Sequence, residues 1–89
     1  MNYLTSIVVS SSAKKNIKKM DKKTKQRILD AMENLRYIPP EGDIRTLKGK
    51  KGFLRCRVGD WRIIFKQNLE DEELLIYTVD ARGKVYKNL

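Results

Sequence analysis

Three arginines, Arg55, Arg57 and Arg62, recur on one side of a predicted pair of strands. Residues 52–65 alternate between apolar and other side chains on both sides of Gly59-Asp60, which predicts two half-buried strands joined by a tight turn. A guanidinium group stays charged at any working pH, and its rigid fork of donors matches a phosphate group. Because three cations on one strand face repel each other unless an anion is bound, the pattern favours an anion-binding surface over a merely solvated charged face.

The composition favours a polyanionic partner. The chain has 89 residues, 40% of them hydrophobic and 35% charged, as expected of a single folded domain spanning residues 1–89. Its formal net charge is +9. So large a positive charge on a small body favours nucleic acid, an anionic membrane or an acidic protein as the partner.

Some classes of chemistry are excluded by residues that the chain lacks. It has no histidine, which excludes a histidine general base and leaves no plausible cluster of metal ligands, so no metal or cofactor is expected. A single cysteine cannot form an internal disulfide. No signal peptide is recognised, and the apolar residues 3–9 are too few to span a membrane, so we expect a cytoplasmic protein.

The N-terminal half predicts a strand followed by two helices. Residues 3–9 are rich in aromatic and β-branched side chains and predict the strand. One of the serines at positions 10–12 is expected to cap a short helix, and Asp21 to cap a second helix. The spacing of four apolar residues predicts the core-facing stripe of the second helix: Ile28, Ala31, Met32 and Leu35. Pro39 and Pro40 end that helix.

The C-terminal half predicts the rest of the sheet. After a loop at residues 41–43, residues 44–51 are interpreted as a flexible basic approach to the hairpin, and the apolar run 74–79 as a central strand. Residues 80–84 are expected to form a turn and residues 85–86 a last extended piece. The predicted fold class is α+β, with two N-terminal helices packed on one face of a small, mostly antiparallel, twisted sheet. The face with the arginines is expected to be open.

Three segments of the chain resemble a known family. They are Leu47-Lys48-Gly49, the segment Arg55-x-Arg57-Val58-Gly59-Asp60-Trp61-Arg62-Ile63-Ile64-Phe65, and Arg82-Gly83-Lys84-Val85-Tyr86-Lys87. This pattern resembles the RelE/ParE superfamily of toxins from type II toxin–antitoxin systems, with the RelE branch the more similar, over essentially the whole chain. The resemblance implies a RelE-like fold and a small basic endoribonuclease that enters the ribosomal A site and cuts mRNA. The implied partners are a cognate antitoxin, mRNA and the rRNA of the ribosome, with no membrane and no DNA bound by the toxin alone.

The resemblance also implies roles for individual residues. Arg62 matches the family arginine that stabilises charge on the scissile phosphate, and Arg55 stands where the family carries a basic catalytic residue, often lysine. Arg82 matches a late arginine of the family, and Tyr86 a late tyrosine implicated in proton transfer or base stacking. Other cations near the site are expected to bind RNA: Lys48, Lys50, Lys51, Arg57 and Lys84. Phe53 departs from the pattern, because the best-known RelE members carry lysine there.

The chemistry of RNA cleavage leaves several assignments open. The ribose 2′-OH attacks its own phosphate, and Arg62 and Arg82 are suited to stabilise the dianionic phosphorane. Tyr86 in a strongly positive site is one candidate for proton transfer, with Lys84 and Lys50 as others, and packing of a terminal aromatic ring is the alternative for Tyr86. Trp61 and Cys56 are interpreted as core residues, the cysteine as inert.

Three functions remain to be compared at this point. The first is a ribosome-dependent mRNA endoribonuclease held in check by an antitoxin. The second is a non-cleaving protein of the same fold, or one that acts on a protein target such as gyrase, as the ParE branch does. The third is an RNA-binding module without toxicity.

Overall fold

A computed structural model of the protein describes residues 2–81. Its elements are β1 (Ser6–Val9), α1 (Ser11–Lys18), α2 (Lys22–Asn34), β2 (Asp43–Thr46), β3 (Leu54–Val58), β4 (Trp61–Asn68) and β5 (Glu73–Ala81). The strands form one five-stranded sheet in the order β1-β5-β4-β3-β2. Only β1 and β5 pair in parallel among these strands, so the predicted α+β fold with a mostly antiparallel sheet is confirmed.

The two helices begin where the sequence predicted capping residues. The hydroxyl oxygen of Ser10 accepts a hydrogen bond of 3.1 Å from the backbone N–H of Ala13. A carboxylate oxygen of Asp21 accepts a bond of 3.2 Å from the backbone N–H of Thr24. Each cap satisfies one backbone donor that the first turn of a helix leaves unpaired. Hydrogen bonding to Thr24 also holds the pKa of the Asp21 carboxyl below its usual value.

Both helices cover one face of the sheet, and the core lies between the two layers. Three residues of the predicted α2 stripe, Ile28, Met32 and Leu35, are buried there, and Ala31 is partly buried against the same cluster. The sheet contributes Cys56, Ile63, Phe65, Leu74, Ile76 and Val79. Trp61 packs against this cluster, so the interpretation of Trp61 and Cys56 as core residues is confirmed. Burial raises the pKa of the Cys56 thiol to about 11, which keeps it protonated and unreactive at neutral pH.

Strand boundaries differ from the sequence prediction at three places. The first strand starts at Ser6 rather than Tyr3, which makes an isolated bridge with Tyr37. Residues 43–46 form β2, so the interpretation of residues 44–51 as a flexible approach is wrong in its first part, as is the loop at Asp43. The reason is the backbone ladder with β3, which a short segment with a single buried apolar residue does not reveal.

The last strand is longer than predicted. Asp80 pairs with Arg62 and Ala81 with Trp61, so these two residues continue β5 and the prediction of a turn at residues 80–84 is wrong for them. The pairing follows from the length of β4, which offers backbone partners as far as its first residue. The remaining residues of that predicted turn, and the predicted extended piece 85–86, lie outside the described residues. Among residues 2–81, no helix is both long and apolar enough to cross a lipid bilayer.

Candidate nucleic-acid interface

Four arginines stand in two directly opposed pairs on the sheet face that the helices leave uncovered. Arg57 of β3 pairs with Arg62 of β4, and Arg45 of β2 pairs with Arg55 of β3. Because side chains alternate along β3, both pairs lie on the same face, which we call the arginine face. Directly opposed residues have Cβ atoms about 4.5–5.5 Å apart, and like charges at that spacing destabilise a sheet. An anion bound across the pairs would relieve this repulsion.

Sequence reasoning did not identify Arg45. It requires β2, because only the pairing of β2 with β3 brings Arg45 opposite Arg55. The signal available in the sequence was slight: Ile44 stands between the charged Asp43 and Arg45, which is one period of alternation. In the structure Ile44 lies against the core and Arg45 is exposed, as that alternation requires.

Arg62 is held in place by the hairpin turn. Its Nη1 donates to the carbonyl oxygens of Trp61, at 3.1 Å, and of Gly59, at 3.4 Å. The residue is only 6% exposed, and its buried Nε finds no acceptor within the part of the chain that the structure describes. A buried cationic donor without an acceptor is energetically unfavourable.

Arg57 and Arg62 form no side-chain ion pair with a carboxylate of residues 2–81. Asp80 stands opposite Arg62 on β5, and its carboxylate accepts a bond of 2.8 Å from the N–H of Ala81. Between residues 2 and 81, the one side-chain ion pair joins Arg36 and Glu33, at 2.8 Å, beside the end of α2. Asp80 therefore offsets part of the repulsion between Arg57 and Arg62, although neither arginine forms a side-chain ion pair within that range.

The expectation that the arginine face is open is wrong at its centre. Arg62, Thr78 at 3% exposure and the fully buried Ile64 all lie there, whereas Arg45 and Arg57 at the side of β2 are exposed. The physical reason is the position of β4 between two neighbouring strands: each of its side chains is flanked on both sides by those of β3 and β5. A ligand therefore approaches from the β2 side.

A groove with a volume of about 700 Å³ lies on that side, between β2 and the loop that follows it. Its charged lining comprises Arg45, Lys48, Lys50 and Arg55, and Thr46, Leu47 and Gly49 complete it. The structure thus brings three of the predicted site residues, Lys48, Lys50 and Arg55, together with the unpredicted Arg45. Lys51 is exposed in the same loop but does not line the groove.

Three predicted site residues, Arg82, Lys84 and Tyr86, lie outside the described residues. Their roles stay predictions. What the described residues provide is a strip of fixed cations beside a basic groove, which is suited to bind the backbone of a nucleic acid.

The fold is that of a class of small toxins. Residues 7–86 match the model of a family described as the ParE toxin of the type II toxin–antitoxin system parDE. The chain belongs to this family, and thus to the RelE/ParE superfamily of type II toxins, because the match covers most of its length. No curated protein sequence matches the chain.

Solved structures of RelE toxins share the fold. The archaeal RelE–RelB complex from Pyrococcus horikoshii is 27% identical, with a TM-score of 0.74, and the match covers 94% of this chain and 99% of that one. The RelB–RelE complex from Methanococcus jannaschii is 22% identical, with a TM-score of 0.72 and coverages of 92% and 98%. The E. coli RelBE complex is 13% identical, with a TM-score of 0.62 and coverages of 91% and 98%.

Proposed function

We propose that this toxin is an endoribonuclease that cleaves mRNA on the ribosome, in the cytoplasm, and so stops translation. The observation that carries the proposal is the arginine face, where two like-charged pairs adjoin a groove lined by further cations. Like charges directly opposite each other repel, and phosphates bound across them offset that repulsion. The fold that the chain shares with RelE toxins supports the same function.

The reaction needs the RNA, cationic side chains and a group that transfers protons. The ribose 2′-oxygen attacks the adjacent phosphorus while its proton is removed, the P–O5′ bond breaks, and the 5′-oxygen takes up a proton. The products are a 2′,3′-cyclic phosphate and a 5′-hydroxyl end. Arg62, which lies beside Arg57 on the arginine face, stabilises the negative charge on the phosphorane, assisted by Arg82. Tyr86 transfers a proton. Arg55 takes the position at which the family carries a basic catalytic residue, often lysine.

The remaining cations hold the RNA backbone in register. Lys48, Lys50 and Arg45 bind phosphates along the groove, and Arg57 binds beside Arg62. Lys51 and Lys84 extend this surface as predicted from the sequence. Orientation of the strand in this way supplies a large part of a catalytic effect, because the reacting 2′-oxygen must lie in line with the departing 5′-oxygen.

An antitoxin is the proposed protein partner. The P. horikoshii and M. jannaschii toxins are both in complex with RelB. The strongly positive charge suits an acidic or amphipathic chain that wraps the toxin, as do the outer edges of β1 and β2, which pair with no further strand among residues 2–81.

Action on a protein target is the second candidate, because the matching family model is that of a ParE toxin. In that case the arginine face contacts an acidic protein surface rather than RNA. The two functions differ in their products: one yields cleaved mRNA, and the other, with gyrase as its target, changes DNA supercoiling.

One experiment tests the proposal and separates it from this alternative. The toxin is induced in growing cells, and primer extension maps stops within translated mRNA while plasmid supercoiling is followed in parallel. Arg62→Gln is expected to lower the yield of stops about 10²-fold, since it removes a charged donor at the phosphate. Arg62→Lys restores the charge but not the fork, and is expected to recover only part of the activity.

Lys23→Ala is the matched control, because Lys23 is an exposed cation on α2, remote from the arginine face. It should leave the stops unchanged. Thermal unfolding of each variant separates loss of function from loss of fold. Stops that persist in folded Arg62→Gln contradict the assignment of the site, and altered supercoiling without stops contradicts the proposed function.

A further inference from the structure

Two aromatic rings lie together on the arginine face, outside the residues assigned so far. The rings of Phe53 and Tyr77 have centroids 5.4 Å apart and meet edge to face at 68°. Tyr77 is 38% exposed. Phe53 comes two residues before Arg55 on the same strand path, so the ring pair begins about 7 Å from an arginine of the basic strip.

A β-bulge aims Tyr77 at this face. Ile64 pairs with Thr78 and Phe65 with Ile76, so Tyr77 is an extra residue of β5 without a partner on β4. The bulge is held by Ser10, whose N–H donates to the carbonyl oxygen of Ile76 at 3.0 Å and whose hydroxyl donates to that of Tyr77 at 2.7 Å. Bulges of this kind redirect a side chain and are frequent beside functional sites.

Two lysines lie over the rings. The Nζ atom of Lys50 is 4.5 Å from the centroid of Tyr77 and 5.1 Å from that of Phe53. The Nζ atom of Lys66 is 5.7 Å from the centroid of Phe53. Lys50 also lines the basic groove, so one side chain connects the rings with the proposed path of the RNA backbone.

We propose that Phe53 and Tyr77 form a stacking site for an unpaired base of single-stranded RNA, with Lys50 and Lys66 binding the phosphates on either side of that base. The inference rests on the proposed function in taking RNA as the ligand. The inference goes beyond the proposed function because it assigns a base-binding site to Phe53 and Tyr77, which act on no phosphate.

Replacement of the lysine ammonium groups by an RNA base on the rings of Phe53 and Tyr77 is favourable. In the structure the faces of the rings attract lysine ammonium groups, a contact that is weak at exposed positions. Stacking of a base on an aromatic ring is stronger and does not depend on the identity of the base. A base that displaces Lys50 from the ring also brings its phosphate within reach of the displaced ammonium, so both contacts are satisfied. At position 53, where the best-known RelE members carry lysine, this protein thus has an aromatic ring that can stack on a base instead of a positive charge.

Binding is measured on the full-length toxin with a short 2′-O-methylated oligoadenylate, which cannot be cleaved because its attacking hydroxyl is blocked. A second probe has the same backbone without bases. Tyr77→Leu and Phe53→Leu are each expected to weaken binding of the first probe about tenfold and to leave binding of the second unchanged. Tyr77→Phe keeps the ring and is expected to bind as the unaltered protein does.

The chain provides a matched control in a second aromatic pair. Tyr3 and Tyr37 have centroids 5.2 Å apart, with the guanidinium of Arg36 4.4 Å from the ring of Tyr3, but they lie beside the end of α2. Tyr37→Leu removes a ring of similar exposure, 43%, and should bind both probes normally. Thermal unfolding verifies that each variant is folded.

The outcomes separate this inference from the proposed function. Equal weakening of both probes by Tyr77→Leu, or no weakening of either, overturns the stacking site even if mRNA is cleaved in cells. Failure of the unaltered protein to distinguish the two probes overturns it as well. Base-dependent binding that is lost in the two leucine variants supports the site even if no mRNA stops are found, in which case only the proposed cleavage fails.

Discussion

At the scale of single residues, the turn between β3 and β4 determines how Arg62 is presented. Gly59 has a φ of +60°, which the first central position of a type II′ turn requires and which side chains with a Cβ adopt only with strain. Its carbonyl oxygen is one of the two acceptors of Arg62. A Cβ at this position would lie 3.0 Å from Nη2 of Arg27, which is the end of an exposed side chain of α2.

Gly59→Ala is therefore expected to disturb the site as well as the fold. Left-handed backbone strain lowers the free energy of unfolding by about 1–2 kcal/mol and shifts the Gly59 carbonyl that accepts from Arg62, whereas the exposed Arg27 side chain can move away from the added Cβ. We expect a further loss of RNA cleavage, measured as primer-extension stops at equal amounts of folded toxin.

Gly49→Ala is the control for the loss of stability only, because Gly49 lines the basic groove. Gly49 has a φ of +81°, but a Cβ added there would have no atom within 4 Å, so the substitution reproduces the strain without the contact. Cleavage by folded Gly59→Ala that equals that of the unaltered toxin would contradict the role given to the turn.

The sequence predicts the types and face of these residues but not their exposure. Alternation around Gly59 places Arg55, Arg57 and Arg62 on one side, and the register confirms it. Alternation carries no information on how far neighbours cover a side chain. The burial of Arg62 depends on β5, which pairs with β4 from a distant part of the sequence.

At the scale of secondary structure, Ser10 joins two elements. Its hydroxyl caps α1 by accepting from Ala13 and at the same time donates to Tyr77 in the bulge of β5. A hydroxyl can do both because it has one donor hydrogen and two acceptor lone pairs. The orientation of α1 over the sheet and the position of the Tyr77 ring are thus coupled through one side chain.

Ser10→Ala is expected to lower the free energy of unfolding by about 1–2 kcal/mol, because it removes a helix cap and a second hydrogen bond together. Urea unfolding measures this loss. Ser11→Ala, at an exposed position in the first turn of α1, serves as the control and should change stability by less than about 0.5 kcal/mol. The coupling is refuted if the two variants unfold at the same urea concentration.

Both helix caps were predictable, since Ser and Asp before an apolar helical pattern are strong local signals. Strand β2 and the bulge were not. Residues 43–46 form a strand because β3 offers them a ladder, and Tyr77 becomes an extra residue because of how β5 aligns with β4. Both features depend on how strands pair in the folded sheet. Arg45 and the aromatic pair depend on these features, so the sequence did not predict them.

At the scale of the whole molecule, positive charge is found on two sides. Exposed lysines cover the helices: Lys14, Lys15, Lys18, Lys19, Lys22 and Lys23. The arginine face lies on the other side of the sheet. A net charge of +9 alone cannot indicate which side binds RNA, because all of these cations contribute to long-range attraction.

The salt dependence of RNA binding distinguishes the two sides. Each cation that contacts a phosphate of single-stranded RNA contributes about 0.7 to the slope of log K against log salt concentration. We expect Arg45→Ala to reduce that slope by about this amount, and Lys23→Ala to leave it unaltered. If the slope is reduced in Lys23→Ala and unchanged in Arg45→Ala, the RNA interface lies on the helices and not on the arginine face.

The parallel pairing of β1 with β5 has a consequence for how the toxin is made. Ser6 lies beside Glu73, so the first strand to leave the ribosome is completed only by the last strand described. Contacts between residues so distant in sequence form late in folding, because closing the long loop between them costs conformational entropy. A nascent chain that stops short of β5 therefore has helices without the surface they cover, and it gives its arginines no rigid support. We therefore expect such a fragment to be degraded by proteases and not to be toxic.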